Sequence, residues 1–339
     1  MLAEDLAAGE LLSSAKPFEV FFRPCSDGGI QLELQNLLNQ GRKGTIVING
    51  ENVEFNLQAL ETGKFELPFF KEKAVFGKRF RKQFAWTIHS GGKPCSGKWE
   101  MDYFYVPFAG KNPDWSRIPS FPIENMDAAT PSLESGEIRM LPRNPDDFSA
   151  SCQVAWNHEK FYLRVTVRDD KFLVYPELWK RGAAEDQLWL HDGCLEVYFD
   201  CGADGRKKRF DGYDINDYRY DFSIGKSGRS GPGMVNRLIA VDHQLADGIN
   251  MPSKQEAAEK IQCDFQRTKH GYCYTISFGQ RYLEPLMLRE GFLAGFALYL
   301  HDFDDPDRKT HKGLTTGITP GKHCQMRPFD WPLMILKRR

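Results

Sequence analysis

The chain has 339 residues, enough for two domains, and its 45 Lys and Arg nearly cancel its 46 Asp and Glu, so no overall field draws in nucleic acid or an anionic membrane. A hydrophobic share of 41% with 13% aromatic residues excludes wholesale disorder. No apolar run approaches the ~20 residues of a spanning helix, so no membrane insertion is expected, and the opening MLAEDLAAGELLSS carries acids where a secretory signal would be basic.

From the N-terminus, short runs rich in aromatic and β-branched residues are separated by Gly, Asn or Pro turns: FEVFF (18–22), GIQLELQN (29–36), GTIVING (44–50), VEFNL (53–57), KFELPF (64–69), QFAWTIH (83–89) and WEMDYFYV (99–106). This spacing predicts a β-sandwich over residues 17–108, similar to the immunoglobulin-like domains. The basic run KEKAVFGKRFRK (71–82) contains Phe76 and Phe80; in a chain of neutral balance it is expected as a solvated loop or a guarded sheet edge rather than a nucleic-acid patch. AGKNPDWSRIPSFP (109–122), rich in Pro and polar residues, is expected as an interdomain linker that proteases cut first.

The second region, 115–339, opens its strand pattern with VAWNHEKFYLRVTVRDD (154–170), where Phe161, Leu163, Val165 and Val167 alternate with polar residues before Asp169 and Asp170. WLHDGCLEVYFD (189–200) follows, its Leu195, Val197 and Phe199 alternating with Glu196, Tyr198 and Asp200. Glu196 therefore faces away from the core in mid-strand, an exposed carboxylate beside a loop tryptophan, Trp189. DYRYDFSIG (217–225), GYCYTISF (271–278), GFALYLHDFDD (295–305) and WPLMILK (331–337) complete the strands. The loops 174–187 and 225–258 are long, the latter with a helical turn at SKQEAAEK.

In this order the segments resemble the family-nine carbohydrate-binding modules over roughly 115–339. Those modules carry an Asp-rich turn after a strand, a loop Trp, an Asp-x-Val-Glu strand and a later Gly-Phe strand running into Asp. The resemblance implies an all-β fold, a larger antiparallel jelly-roll-like sandwich after the immunoglobulin-like one. It also implies non-catalytic glycan binding, with Trp189 as an aromatic wall, Glu196 as hydroxyl acceptor, and Asp192, Asp221, Ser223 and Tyr299 as neighbouring polar positions, and it favours an extracellular or periplasmic setting. A flat ring beside hydrogen-bonding carboxylates suits a sugar, whose faces are apolar and whose edge is hydroxyls; a Trp before a strand also serves as a core plug. GKHCQMRPFD (321–330), where a second aromatic wall is expected, holds no Trp. A structural or interaction protein on the same sandwich is therefore the rival reading, and a glycosidase pairing Glu196 with Asp192 or Asp302 is a third.

No phosphate loop, nucleophile elbow or H-E-x-x-H motif is present. No cofactor is expected apart from structural calcium, for which Asp302, Asp304 and Asp305, with Asp307, and a second cluster of Asp211, Asp214 and Asp217 offer oxygen ligands; side-chain capping of turns is the alternative and the more ordinary role for such residues. The eight cysteines lack zinc spacing. Cys263 with Cys273, and Cys25 with Cys95, are candidate disulfides, with free thiols the alternative.

Overall fold

The computed structural model describes residues 16–123, 125–126, 138–139, 141–173, 188, 192–205, 212–225, 228–239, 252–305, 310–318 and 327–338. The chain is all-β and divides into two compact units, Met1–Ala74 with Arg81–Met101, and Val75–Phe80 with Asp102–Arg339.

The first unit uses strands β1 (Phe18–Pro24), β2 (Ile30–Asn36), β3 (Arg42–Ile48), β4 (Glu51–Leu57), β5 (Thr62–Leu67) and most of β6 (Arg79–His89), followed by the start of β7 (Cys95–Pro107). Strand β2 lies between β1 and β5, while β3 lies between β4 and β6, all antiparallel. The inward residues of the alternating runs are aliphatic and aromatic, Leu32, Leu34, Ile46 and Ile48 among the former; Phe22 stacks on Phe84 at 4.3 Å, and Phe18 meets Phe55 edge-on at 5.4 Å.

The second unit is a sandwich of two sheets. One joins β8 (Phe121–Ile123), β11 (Phe148–Trp156), β12 (Lys160–Asp169), β18 (Gly271–Gly279), β17 (Gln262–Thr268) and β15 (Gly231–Pro232), in that order across the sheet. The other contains β16 (Met234–Ile239), β14 (Asp217–Ser223), β13 (Leu195–Asp200), β19 (Leu293–Asp302) and β21 (Leu333–Lys337), with β21 running parallel to Tyr103–Pro107 of β7. Strand β20 (Thr310–Thr315) pairs with the end of β19 and with the short β9 (Asn125–Met126) and β10 (Ile138–Arg139). Phe161, Leu163, Val165, Leu195, Val197 and Phe199 meet between the sheets in the main core. SKQEAAEK forms the helix α1 (Lys254–Lys260), in which the Ser253 hydroxyl caps by accepting from the Glu256 amide.

Three local expectations change. The basic run is not a solvated loop throughout: Arg79 forms a two-pronged pair with Asp102 (2.8 and 3.2 Å) and donates to the Thr316 carbonyl, while Phe80 stacks on Tyr103 at 5.1 Å. The Arg79 charge is neutralised by the buried Asp102 carboxylate and the Phe80 ring fills a core site, so the local excess of Lys and Arg misleads for these two residues. The cysteines are free thiols among the described residues. Cys263 stands opposite Ile276 and Cys273 opposite Gln266, so the two occupy different rungs and opposite faces of the hairpin and cannot meet.

The third change concerns the Pro-rich stretch 109–122, which is tied onto the second unit. Ala109 N–H bonds the Trp156 carbonyl, Asn157 reaches the carbonyls of Gly110 and Lys111, and Gln153 Nε2 donates to those of Trp115 and Ile118. An open chain would be cut first; this one has its carbonyls occupied. Trypsin should cleave after Arg117 slowly in the native protein and several-fold faster in Gln153→Ala, where two acceptors lose a donor at about 1–3 kcal/mol. Equal cleavage rates would show that Gln153 does not hold the stretch.

Candidate functional site

Strand β13 is buried along its whole length. Its odd-numbered residues enter the main core, and its even-numbered ones lie on the reverse face beneath a second, smaller cluster of Tyr198, Ala297, Tyr299 and Trp331. Glu196 is on that reverse face, as its alternation predicts, but it is 1% exposed rather than open to solvent. A positive-φ turn at Gly193 leads into the strand; a Cβ there would lie 2.5 Å from the Phe172 ring.

Register assembles the site. Glu196 stands opposite Asp221 on β14 and Tyr299 on β19, and Asp221 opposite Asn236 on β16. Two carboxylates in direct opposition would repel. Arg219, two residues before Asp221 and so on the same face, resolves this by donating to both: Nη2 to Glu196 Oε1 at 2.6 Å, and Nε and Nη2 to Asp221 at 2.9 and 3.1 Å. Glu196 Oε1 also meets His301 Nε2 at 3.0 Å, its Oε2 accepts from the Tyr198 hydroxyl, and His301 Nδ1 lies 3.1 Å from His311 Nε2. Rings line the face: Trp331 lies 5.2 Å from Tyr198, and His301 stacks on His311 at 5.0 Å. Ser223 Oγ and Asn236 Nδ2 are buried with no hydrogen-bond partner among the described residues. Burial, and then the Glu196 charge, raise the Asp221 carboxyl above its ordinary range, with Arg219 opposing. Burial works against the Arg219 charge, and Tyr198, Glu196 and Asp221 outweigh it, so its pKa rises.

Of the expected site residues, Glu196, Asp221, Ser223 and Tyr299 therefore share one face. Trp189 lies outside the described residues. Asp192 is placed elsewhere: its carboxylate accepts from the amides of Leu173 (2.6 Å) and Phe303 (2.9 Å), and it joins Asp169 and Asp302 in a buried group whose oxygens lie within 4.8 Å of one another. Arg219, His301 and His311 were missed, although Arg219 and His301 were legible at two-residue spacing from Asp221 and Tyr299.

The expected metal set is divided. Asp302 belongs with Asp169 and Asp192, whereas Asp304 groups with Asp147 and Asp170, and Asp305 is in neither group. Between them the Lys312 ammonium bonds Asp147 at 2.8 Å, Asp302 at 3.2 Å, and Asp304. Burial opposes the Asp147 charge, but donation from Arg143 and Lys312 wins and lowers its pKa. Asp169, Asp192 and Asp302 are raised, burial first in each case, Asp169 to about 6. In the second cluster, Asp211 lies outside the described residues. There, Asp217 accepts from the Asp214 amide (2.7 Å) and Asp214 from that of Asn216 (3.0 Å), the turn-capping arrangement.

The chain thus has an all-β sandwich whose one sheet carries a buried face of charged groups and rings. The family model described as "Carbohydrate family 9 binding domain-like" matches residues 125–322. The match spans more than half of the chain, which belongs to this family. Solved structures similar to it include a family 9 carbohydrate-binding module from Caldicellulosiruptor kristjanssonii in complex with cellotriose (12% identity, 69% of this chain and 93% of that chain, TM-score 0.44). The same organism's module in complex with glucose gives 12% identity, 70% and 96% coverage and a TM-score of 0.45. A chain described as a "putative carbohydrate-binding protein from Bacteroides uniformis ATCC 8492" gives 10% identity, 69% and 99% coverage and a TM-score of 0.40. No curated protein sequence matches the chain.

The reverse face also carries a titration. Asp217, opposite Asp200 at the end of β13 and β14, is pushed up to about 8, by burial first and then by the charges of Asp200 and Asp214, with the Asp214 amide opposing. The folded protein keeps a proton that the unfolded chain releases near pH 4, so this group's contribution to stability is lost as pH rises from about 4 to 8. Asp217→Asn should flatten that decline and raise the melting temperature at pH 8 by roughly 5 °C, with little change at pH 4. A scan with the same slope in both proteins would assign the proton elsewhere.

Proposed function

We propose that the chain binds a saccharide without cleaving it, through the reverse face of the β13–β14–β19 sheet. Family membership supports the carbohydrate, and one observation carries the location: Ser223 Oγ and Asn236 Nδ2 are buried beside Asp221 without partners among the described residues, as hydroxyl-reading groups would be before a ligand arrives. In this reading Trp189 stacks on a terminal sugar ring, Glu196 and Asp221 accept from its hydroxyls, and Arg219 holds both carboxylates in place. The first unit, with its short antiparallel strands, is read as an immunoglobulin-like sandwich.

Binding by a glycan array should be followed by calorimetry with the ligand it finds. Trp189→Ala should lose more than tenfold in affinity, because half of a buried aromatic surface contributes on the order of 2–3 kcal/mol. Glu196→Gln should lose somewhat less, since the amide keeps one acceptor. No reducing ends should appear on prolonged incubation. One observation favours the rival structural reading: both Glu196 oxygens already accept hydrogen bonds within the protein. If the array is blank and Glu196→Gln only lowers the melting temperature, the face is a structural core and the binding reading fails.

We also propose calcium, at a different set of ligands from Asp302, Asp304 and Asp305. Lys312 already supplies the positive charge between Asp302 and Asp304, so that set fits poorly. Asp169, Asp192 and Asp302 fit better: three converging carboxylates, with Asp169 Oδ2 and Asp302 Oδ1 lacking partners among the described residues. A bound cation would hold them ionised. Calcium should raise the melting temperature of chelator-treated protein by a few degrees, and Asp169→Asn should abolish the response. An unchanged melting temperature would leave the group protonated and metal-free.

A further inference from the structure

The sheet on the opposite side of the second unit bears a groove of about 660 Å³ that the face around Glu196 does not touch. Its floor is the outward side of β12, β18 and β17, where register sets Tyr162 beside Ser277 and Gln262, and Arg164 beside Thr275 and Asp264. One wall is the tied-down stretch carrying Trp115; the other is built by α1 and Pro232–Gly233. Trp115 is half-buried and fixed in place, since Gln153 holds its own carbonyl and that of Ile118, and the Arg164 guanidinium lies 5.9 Å from its ring centre.

These features select a ligand class. A large ring forms the wall while single donors and acceptors are spaced along the floor, and Arg164 and Asp264 offset each other in charge, so an ionic ligand gains little. Asp264 and Thr275 make no side-chain hydrogen bond among the described residues and are available to hydroxyls. The backbone of the floor strands is already paired with neighbouring strands, so an extended peptide finds no edge to join. The volume falls within the range of small-ligand clefts. We infer that this groove is a second saccharide-binding site, taking neutral oligosaccharide chains along the sheet with one ring against Trp115. It is on the other sheet from Glu196 and stands whether or not that face binds sugar.

Calorimetric titration of the full chain with cellohexaose, xylohexaose and maltohexaose as probes tests it. At least one probe should bind, and Trp115→Ala should weaken that binding by roughly tenfold or more while Trp115→Phe retains most of it. Asp264 is exposed, so Asp264→Ala leaves the fold intact and should weaken the same binding by roughly threefold to tenfold. The losses should persist in a Glu196→Gln background, which separates this groove from the reverse face. Unchanged affinity and stoichiometry in both Trp115→Ala and Asp264→Ala, or no binding of any of the three probes, would overturn the inference.

Discussion

Arg219 lies between Glu196 and Asp221, and the reverse face of the β13–β14–β19 sheet depends on that contact. The two carboxylates oppose each other across β13 and β14 and are buried, at 1% and 0% exposure. A buried carboxylate without a counter-charge costs several kcal/mol, and two side by side cost more. One planar guanidinium with its donors in a fork satisfies both at once, and its own desolvation is offset by the two charges it contacts. The neighbouring groups then have defined roles: Tyr198 takes the second Glu196 oxygen, and His301 links Glu196 to His311.

The same sheet is unusual for an antiparallel one, because its central strands are covered on both sides. Strands β13, β14 and β19 are buried almost throughout, with phenylalanines and leucines turned to the main core and charged or aromatic residues turned the other way. Such sheets ordinarily have one solvated face. Here the polar pattern of the second face is kept while solvent is removed, which leaves low-dielectric surroundings where each hydrogen bond matters more and each unpaired group is costly. That condition is what a ligand-reading surface and a polar structural core have in common.

At the end of the sandwich a different cation solves a related problem less completely. Lys312 reaches Asp147, Asp302 and Asp304, but Asp169 and Asp192 belong to the same acidic region without contact to it among the hydrogen-bonded pairs. A compact ammonium with three donors serves three carboxylates; the rest must be held by backbone amides, by protons or by a further cation. Amides take Asp192, whose two oxygens accept from Leu173 and Phe303. The raised pKa values of this group follow from burial that no single counter-charge can offset.

Periodicity in the sequence was enough to determine the all-β class, most strands and the side of β13 on which Glu196 stands, because an extended chain sends alternate side chains to opposite faces whatever surrounds it. Turn chemistry left Asp214 and Asp217 open between capping and calcium ligation, and the structure shows them capping. What lay over each face was decided only by tertiary structure. Glu196 reads as exposed from alternation alone, and becomes buried once aromatic residues from β19 and the approach to β21, distant in sequence, close over it. Arg79 and Phe80 read as part of a basic surface run until Asp102 and Tyr103 receive them, and the Pro-rich stretch reads as a linker until Gln153 and Asn157 claim its carbonyls. Local pattern fixes the direction in which a side chain points, whereas its partner is set by register and packing between residues far apart in the chain, which a single sequence does not encode by spacing.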